Sequence, residues 1–439
     1  MKTLNLFFHP QITSSSTLRG RIPFQFMKSL NVIADNYDFF NIDKVVIDDF
    51  INRDVIILHR EVPNLLVRII VEMAKERNIK VIYDIDDYLI RVVPWHPEKK
   101  IYCQFRNEYK KTLKLVDGLV VSTDTLKSQL LKFNKNIFIY PNLLKEDLFV
   151  DYKTEYKDTL VLGYSGSFSH RGYIHIILRV WEKLYKRYNQ RLSFRMIGSA
   201  VRDTEGIDIP VEFIGWENDY FKYLRSFSKN RFDIGYAPLS NHIFNQSKSN
   251  IKLLEYVLND IVGIYSNIEP YRIFRDREIL KVDTLKVSEW YEKSRMAIDN
   301  IDKLKRGLKR FKKRIIEDYT LPNRMDLIAR YKEWITGLKK KNTVTARILK
   351  NTRIAICGMG NFGYYVYRLL QVFGYMDLIV FDNNLNQERV KLFNCPVYHT
   401  KYLNRVRFDK LIIASYLYYE EIYAQIKEID AGICNKIVN

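Results

Sequence analysis

Cysteine is scarce in this sequence, and the few cysteines are far apart. The 439 residues include four of them, none in a CxxC pair, and no group of histidines has the spacing of metal ligands. Disulfide frameworks and structural zinc sites both depend on such groupings. The sequence therefore predicts neither kind of site, and it indicates buried free thiols at Cys103, Cys357, Cys395 and Cys434.

Long apolar runs are absent as well. No stretch reaches the roughly 18 apolar residues that a membrane-spanning helix requires. The apolar residues 4–8 are followed at once by His9 and Pro10. Such a short run does not form the hydrophobic core of a signal peptide. We therefore expect a cytosolic protein.

Acidic residues are few in one basic segment. Residues 303–353 contain 17 Lys and Arg against 4 Asp and Glu, an excess of 13 within a net charge of +20. Residues 304–316 have the apolar period of a helix whose other faces are basic. This helix can dock on the anionic inner leaflet of a membrane, or its cations can be the solvated side of a packing helix. Nucleic acid is not predicted as a partner, because the segment lacks interleaved aromatic residues and binding motifs.

Short strand-like runs alternate with helical patterns along the chain, which is typical of an α/β protein with parallel sheets and crossover helices. We predict an N-terminal Rossmann-like domain at residues 1–150 and a second at 151–338, which ends in the basic helix and a crossover helix. A basic linker at 339–352 leads to a small Rossmann-like domain at 353–439. The predicted strands are 4–8, 55–58, 80–83, 118–121 and 137–140; 160–164, 193–197, 212–214, 234–237 and 261–265; and 353–357, 378–381 and 410–414.

Residues 245–256 are the most informative segment of the chain. They predict a helix that begins near Ile251 with Ser249 or Asn250 as its side-chain cap, so that its unpaired N–H groups point toward any anion placed there. Two lysines add positive charge, and Glu255 lies one turn further along, where a carboxylate can accept hydrogen bonds from ribose hydroxyls. The segment suits a nucleotide diphosphate, and the alternative is an ordinary capped surface helix. The donor-binding candidates here are Lys248, Ser249, Asn250, Lys252 and Glu255.

Loops that follow strands are the next candidates, because ligands of open α/β sheets bind beyond the carboxyl ends of the strands. Residues 14–21 follow the first strand and contain several hydroxyls and two arginines. They predict a small polar loop that contacts phosphate or a sugar acceptor, and a mobile surface loop is the alternative. The candidate contacts are Ser16, Arg19 and Gly20.

Three aspartates, Asp84, Asp86 and Asp87, follow the strand at residues 80–83. Their spacing resembles the DxD pattern by which some glycosyltransferases hold a divalent metal. Only carboxylates form this group, so no metal is predicted. We predict instead that Asp86 and Asp87 face the cleft between domains, where they orient an acceptor hydroxyl or cap the next element.

The loop after the strand at residues 160–164 is rich in small residues. Gly166 and Ser167 allow a ligand to approach the backbone closely, and Arg171 is available to a diphosphate. His170 can donate a hydrogen bond, although a lone histidine in a loop is more often structural. The alternative is a plain strand-to-helix turn.

The third block contains a Gly-x-Gly-x-x-Gly motif between a predicted strand and helix. Asp382 ends the next strand, 19 residues beyond Gly363. This is the dinucleotide fingerprint in its expected context. The block is only half of a dinucleotide domain and has no Tyr-x-x-x-Lys motif, so a mononucleotide site, a vestigial site or a protein-contact module is favoured over NAD chemistry. The candidate residues are Gly358, Gly360, Gly363 and Asp382.

Four segments, at residues 81–87, 162–167, 232–239 and 244–256, occur in the order found in GT-B glycosyltransferases. Over residues 1–337 the chain resembles the retaining, sugar-nucleotide-dependent enzymes of this fold that build bacterial surface polysaccharides. The resemblance implies two Rossmann-like domains that face a cleft. It also implies that Arg171 takes the place of a diphosphate-binding lysine and Glu255 that of a ribose-binding glutamate. Residues 353–439 resemble a half-domain of some sugar-modifying acyltransferases.

The chain departs from this pattern at two positions. Ser247 stands where the first glutamate of a Glu-x7-Glu pair is usual, and Ser167 stands where an arginine is common. The donor sugar contact and the choice between retention and inversion therefore stay open.

We predict transfer of a sugar from a nucleotide-diphosphate donor to a hydroxyl of a lipid-linked or polysaccharide acceptor in cell-surface glycan synthesis. The leaving diphosphate would be stabilised by Arg171, Lys248, Lys252 and the helix N-terminus, without a required metal or other cofactor. Two alternatives remain: an NAD(P)-dependent enzyme that modifies sugar nucleotides through residues 353–439, and a non-catalytic nucleotide-binding scaffold. The sequence does not predict the oligomeric state.

Overall fold

The computed structural model describes residues 1–6, 13–39, 52–60, 65–145, 159–167, 170–198, 209–341, 352–372, 374–415 and 418–438. Its strands form three sheets, all of them parallel. In most of the described connections an α-helix links one strand to the next, as is usual for parallel pairing. The predicted α/β class with three Rossmann-like sheets is confirmed.

The first sheet has six strands: β1 (Lys2–Leu6), β2 (Asp35–Phe39), β3 (Val55–His59), β4 (Lys80–Ile85), β5 (Gly118–Val121) and β6 (Ile137–Ile139). Their order across the sheet is β2-β1-β3-β4-β5-β6. A π-helical segment (Ser16–Arg21) continues into the first helix. The helices are α1 (Ile22–Ser29), α2 (Leu65–Glu76), α3 (Lys99–Gln104), α4 (Arg106–Leu115) and α5 (Asp124–Leu130).

The second sheet also has six strands: β7 (Leu160–Gly166), β8 (Leu192–Gly198), β9 (Glu212–Ile214), β10 (Ile234–Ala237), β11 (Val262–Ser266) and β12 (Leu280–Val282). Their order is β12-β11-β10-β7-β8-β9. The helices of this part are α6 (Arg171–Tyr188), α7 (Tyr220–Lys229), α8 (Ile243–Gln246), α9 (Ile251–Leu258), α10 (Val287–Asp299), α11 (Ile301–Tyr319) and α12 (Met325–Gly337).

The third sheet has four strands: β13 (Ile354–Cys357), β14 (Leu378–Asp382), β15 (Val397–His399) and β16 (Lys410–Ile413). Their order is β15-β14-β13-β16. The helices are α13 (Asn361–Val372), α14 (Gln387–Val390) and α15 (Tyr419–Ile429).

The chain passes from the first sheet to the second and then returns. Helix α12 packs on the first sheet, where Tyr331 and Ile335 share a core with Val55 and Ile82. The outgoing and returning segments run side by side, because Leu144 N donates to the Tyr319 carbonyl (2.9 Å) and Leu321 N donates to the Leu144 carbonyl (3.1 Å). The first two parts are therefore joined by a pair of adjacent segments.

The third part is attached to the first. Met73 of α2 lies in the core of the third sheet, and Leu369 of α13 lies in a core of the first. Phe105 and Tyr419 make an edge-to-face ring contact with centroids 6.3 Å apart. These apolar contacts place the third sheet beside α2 of the first part. The end of α12 is also joined to the first part, since the Lys341 amide just after this helix donates to Asp117 Oδ1 (2.8 Å).

Several sequence predictions need correction. Residues 14–21 are helical rather than a loop. Strands β2, β12 and β15 were not predicted. All four cysteines are free, but only Cys357 is buried. Cys103 is exposed, and Cys395 and Cys434 are half-buried, so the expectation of buried thiols is wrong at these three positions. Residues 342–351, which hold most of the predicted linker, lie outside the described residues, and so do residues 146–158 at the predicted boundary between the first two domains. None of the helices in the described ranges combines the length and apolar character needed to cross a membrane.

Candidate functional site

A cavity of about 190 Å³ lies where the first and second sheets face each other. Its lining comes from both parts, and most of the groups follow the carboxyl ends of strands, where α/β sheets bind ligands. The first part contributes Ser14, Ser15, Leu18, Arg60, Asp86, Asp87 and Asn142, and the second contributes Ser167, His170, Leu239, Lys248, Ser249, Ile251, Lys252 and Tyr271. We call this space the cleft cavity.

A second cavity, also of about 190 Å³, adjoins the cleft cavity and shares Ser14, Ser167, His170, Ile251 and Lys252 with it. It extends into the second part between β8, α7 and α9. Its other lining residues are Thr13, Ser165, Gly166, Ile197, Gly198, Trp216, Glu217, Asn218, Tyr220, Tyr223 and Glu255. We call this space the inner cavity.

Helix α9 begins at Ile251, as predicted, and its amino end faces both cavities. Asn250 occupies the cap position, but its side chain makes no hydrogen bond to the helix. The prediction of a side-chain cap is therefore wrong for Asn250, and its side chain leaves the first-turn N–H groups uncapped. A helix N-terminus of this kind favours an anion.

Lys252 lies between the two cavities. Its ammonium donates to the Ser165 carbonyl and sits 4.5 Å from the centre of the Tyr164 ring. Burial lowers the pKa of Lys252 to about 8, against the opposing effect of the Glu255 charge. A buried cation that is incompletely neutralised by the protein is suited to an anionic ligand.

Glu255 lies in the wall of the inner cavity. Tyr220 donates to its Oε1 at 2.9 Å and Tyr223 donates to its Oε2 at 3.2 Å. Burial raises the pKa of Glu255 to about 7, although both tyrosine hydroxyls and Lys252 favour the charged form. A carboxylate has about four acceptor positions, so Glu255 can still accept hydrogen bonds from a ligand in this cavity.

Asp86 and Asp87 form the acidic wall of the cleft cavity. Arg60 bridges them, with 3.2 Å from its Nη1 to Asp86 Oδ1 and 2.8 Å from its Nη2 to Asp87 Oδ2. The ammonium of Lys248 lies 3.4 Å from Asp87 Oδ1. Burial disfavours the charged form of Asp87, but Lys248 and Arg60 outweigh it and lower the pKa. Both aspartates thus face the cleft, opposite the lysines of the second part.

The predicted phosphate segment, residues 14–21, reaches the cleft cavity through Ser14, Ser15 and Leu18, and none of the three predicted contacts lines it. Arg19 is only 2% exposed and forms a bidentate ion pair with Asp84, at 2.9 Å from Nε to Oδ1 and 3.0 Å from Nη2 to Oδ2. The segment is helical, and Ser16, Arg19 and Gly20 are all buried. Ser14 and Ser15 line the cavity instead. The prediction that Arg19 meets phosphate is therefore wrong.

Arg171 also differs from its prediction. It is the first residue of α6, it is exposed, and among the described residues it lines neither cavity. His170 lines both cavities, and burial, with the nearby charges of Lys252 and Lys248, keeps its pKa well below the ordinary value. His170 is therefore neutral at pH 7. Gly166 leaves no room for a side chain, since a Cβ there would lie 2.6 Å from the Tyr164 hydroxyl.

Sequence reasoning missed Arg60 and Asn142. Neither belongs to a recognisable motif, although each follows a strand of the first sheet and could have been found by that position. Arg60 has a φ of +48°, which is uncommon for a residue other than glycine. Asn142 Oδ1 accepts a hydrogen bond from Arg19 Nη1 (3.1 Å), and Asn142 Nδ2 donates one to Ser249 Oγ (2.9 Å).

The glycine-rich turn of the third part adopts a tight conformation. Gly358 has a φ of +116°, and a Cβ on Gly363 would lie 1.8 Å from the Gly358 carbonyl oxygen. Asp382 accepts from the Met359 amide at 2.5 Å and from the Asn384 amide at 2.7 Å. The Asp382 carboxylate therefore stabilises both the glycine-rich turn and the turn at Asn384. A Cβ on Gly360 meets open space.

No group of three or more His, Cys, Asp or Glu that could hold a metal ion occurs in the described part of the chain. Asp84, the first carboxylate of the DxD-like run, is paired with Arg19 rather than directed into the cleft.

Several solved structures are similar in fold to about three quarters of this chain. HepE from Anabaena in complex with UDP-glucose has a TM-score of 0.54 at 12% identity, over 76% of this chain and 99% of that one. Sucrose-phosphate synthase from Thermosynechococcus elongatus has a TM-score of 0.58 at 10% identity, over 77% and 99% of the two chains. A glycosyltransferase from Rickettsia africae has a TM-score of 0.54 at 13% identity, over 77% and 99%.

The chain has the GT-B fold. The fold predicted from four short segments is thereby confirmed. In this GT-B architecture the cleft cavity lies between the two Rossmann-like parts, and the third sheet is attached on the far side of α2. No protein-family profile and no curated protein sequence matches the chain.

Proposed function

We propose that this protein transfers a sugar from a nucleotide-diphosphate donor to a hydroxyl of a lipid-linked or polysaccharide acceptor, in the synthesis of a cell-surface glycan. One observation carries the proposal: two lysines and a helix N-terminus of the second part face two aspartates of the first part across one cavity. A site of this kind can bind a diphosphate on one wall and a hydroxyl on the other. HepE, which binds UDP-glucose, has the same fold, so a UDP-sugar is the first donor to test.

The diphosphate would lie at the amino end of α9, between Lys248 and Lys252. As the bond between the sugar and the phosphate oxygen breaks, negative charge develops on that oxygen. Fixed positive groups at this point stabilise the transition state. Asp86 and Asp87 would accept hydrogen bonds from the acceptor hydroxyl and favour loss of its proton. These residues need no metal to perform this chemistry, and the site does not call for NAD.

The nucleoside would occupy the inner cavity. Glu255 would accept hydrogen bonds from the ribose hydroxyls, and Trp216 and Tyr220 would supply apolar surface for the base. The Tyr220 and Tyr223 hydroxyls fix the orientation of the Glu255 carboxylate. In this arrangement the sugar projects toward the cleft cavity, where the acceptor enters.

Replacement of Glu255 by alanine is the direct test of this assignment. A hydrogen bond to a charged group contributes about 1.5–3 kcal/mol, so UDP or GDP should bind the Glu255→Ala variant at least about tenfold more weakly than the wild type. Calorimetric titration of the full chain with UDP, GDP, CMP and NAD measures this. Asp382→Ala is the matched control, since it removes a carboxylate from the third part. Loss of binding in the control alone, or NAD as the sole ligand, would overturn the assignment in favour of a nucleotide site in the third part.

We also propose that α11 docks on an anionic membrane surface. Three of its cations are paired within the second part: Lys305 with Asp233, Lys312 with Asp260 and Arg314 with Glu278. Five others are exposed and have no ion pair within the described part of the chain: Lys303, Arg306, Lys309, Arg310 and Lys313. These five cover about 15 Å of helix, and each can contribute about 1 kcal/mol near anionic lipid.

Vesicle binding tests this docking surface. Replacing Arg306, Lys309 and Lys313 by glutamine should weaken binding to phosphatidylglycerol-containing vesicles about 100-fold, because three such contributions are lost. The matched control replaces Lys222, Arg225 and Lys229 of α7, which are exposed and have the same spacing. Cosedimentation of both variants and the wild type measures the difference. Equal losses in the two variants, or no binding by the wild type, would contradict the proposal.

A further inference from the structure

Three consecutive residues near the start of α9, at positions 247–249, are each bound to the first part. The groups that hold them follow β4, β5 and β6, so the first sheet contacts the start of the proposed phosphate-binding helix directly. The contacts join Thr123 Oγ1 to the Ser247 carbonyl (3.0 Å), Lys248 Nζ to Asp87 Oδ1 (3.4 Å) and Asn142 Nδ2 to Ser249 Oγ (2.9 Å).

The two outer contacts are fixed. The Asn142 side chain cannot turn over without losing a bond, because its oxygen accepts from Arg19 while its nitrogen donates to Ser249. Thr123 is likewise held, since its hydroxyl also caps α5 by accepting from the Leu126 amide (3.2 Å). These bonds keep the backbone of the turn in place while the side chain of its central residue remains able to move.

That central residue, Lys248, can pair with either of two anions. One is Asp87, at a distance that is long compared with the roughly 2.7–2.9 Å of a strong charge-assisted hydrogen bond. The other is the donor diphosphate, which would lie in the cleft cavity that Lys248 lines. Asp87 does not depend on Lys248 for its position, because its other oxygen is bound to Arg60 at 2.8 Å.

We propose that Asp87 and the donor diphosphate compete for Lys248, so that donor binding transfers Lys248 to the diphosphate and leaves one oxygen of Asp87 available to the acceptor hydroxyl. This inference rests on the proposed function. It makes Asp87 a determinant of donor affinity as well as a group that contacts the acceptor. It also sets an order, in which the acceptor side of the cleft becomes fully active after the donor has bound.

The charges around Asp87 support this order. Burial disfavours its ionised form, and Lys248 and Arg60 together lower its pKa, with a smaller contribution from His96. When Lys248 moves to the diphosphate, Asp87 loses one of its two neighbouring cations. Its carboxylate then becomes a stronger hydrogen-bond acceptor and base for the incoming hydroxyl.

A double-mutant cycle on the full chain tests the competition, with binding of UDP measured by calorimetry. Asp87→Asn should tighten UDP binding about fivefold or more, since it frees Lys248. Lys248→Met should weaken binding, and adding Asp87→Asn to Lys248→Met should change nothing further. Asp87→Glu, which keeps the charge, should bind UDP like the wild type. Asp124→Asn is the control, because Asp124 lines the groove on the other side of Lys248 without contacting it.

The outcomes separate the inference from the function on which it rests. If UDP and GDP bind neither the wild type nor any variant, the proposed function itself is overturned. If UDP binds the wild type but Asp87→Asn binds it equally or more weakly, the competition is refuted. The same conclusion follows if Asp87→Asn tightens binding to an equal extent in the Lys248→Met background, because the effect would then be a general one of charge.

Discussion

Replacing Lys252 by methionine should lower kcat for sugar transfer about 100- to 1,000-fold, the usual effect of removing one preorganised group that stabilises developing charge. Methionine keeps the length and apolar contacts of the side chain but removes the ammonium that faces both cavities. The Tyr164 ring and Ser165 carbonyl that surround it cannot replace the lost charge. Steady-state kinetics measures the change, with sugar donors that carry the nucleoside diphosphate found to bind in calorimetry.

The pH profile provides a second readout of the same residue. Because the pKa of Lys252 in the empty site is about 8, kcat/KM of the wild type should fall as pH rises through 8, when the lysine loses its proton. The Lys252→Met variant should lack this decline. Lys222→Met, an exposed lysine of the same part, is the control and should behave like the wild type. A variant with normal kcat and a raised KM would show instead that Lys252 contributes only uniform binding.

Replacing Arg19 by methionine should destabilise the first sheet by about 3–5 kcal/mol, the usual cost of breaking a buried ion pair by removing one partner. Asp84 would remain buried without its bidentate partner, and Asn142 and the Tyr140 carbonyl would each lose a donor. Amide hydrogen exchange of β3 and β4 reports this locally, which avoids treating a chain with three sheets as a single cooperative unit.

The double variant Arg19→Met/Asp84→Asn separates charge from packing. It removes both members of the pair, so its loss of protection should be smaller than that of the single variant. If the two variants exchange equally fast, the destabilisation comes from lost packing around Arg19, and the ion pair is not its cause.

The sequence predicted most of the fold because strands in the interior of parallel sheets are continuous apolar runs. The strands that it missed, β2, β12 and β15, all lie at the edge of a sheet. An edge strand is often short and is paired with a neighbouring strand on one side only, so it does not require a continuous apolar run. Residues 35–39, for example, read Asp-Asn-Tyr-Asp-Phe, and their polar residues obscured the strand.

The candidate site was predictable where its residues form a local pattern. The helix at Ile251 and the aspartates after β4 could be found because spacing and position relative to a strand define them. Arg19 was misassigned because its partner Asp84 lies 65 positions away, and no local pattern shows that the guanidinium turns inward. Arg60 and Asn142 are single residues whose roles arise only when distant loops come together. The roles proposed for the site residues remain predictions.

The two adjacent segments at Leu144 and Leu321 limit how the first and second parts can move relative to each other. Both connections lie side by side at this point and are joined by backbone hydrogen bonds, so sliding of one part past the other here would break those bonds. Because the third sheet is attached to α2, it would move together with the first part. The basic face of α11 would move with the second part.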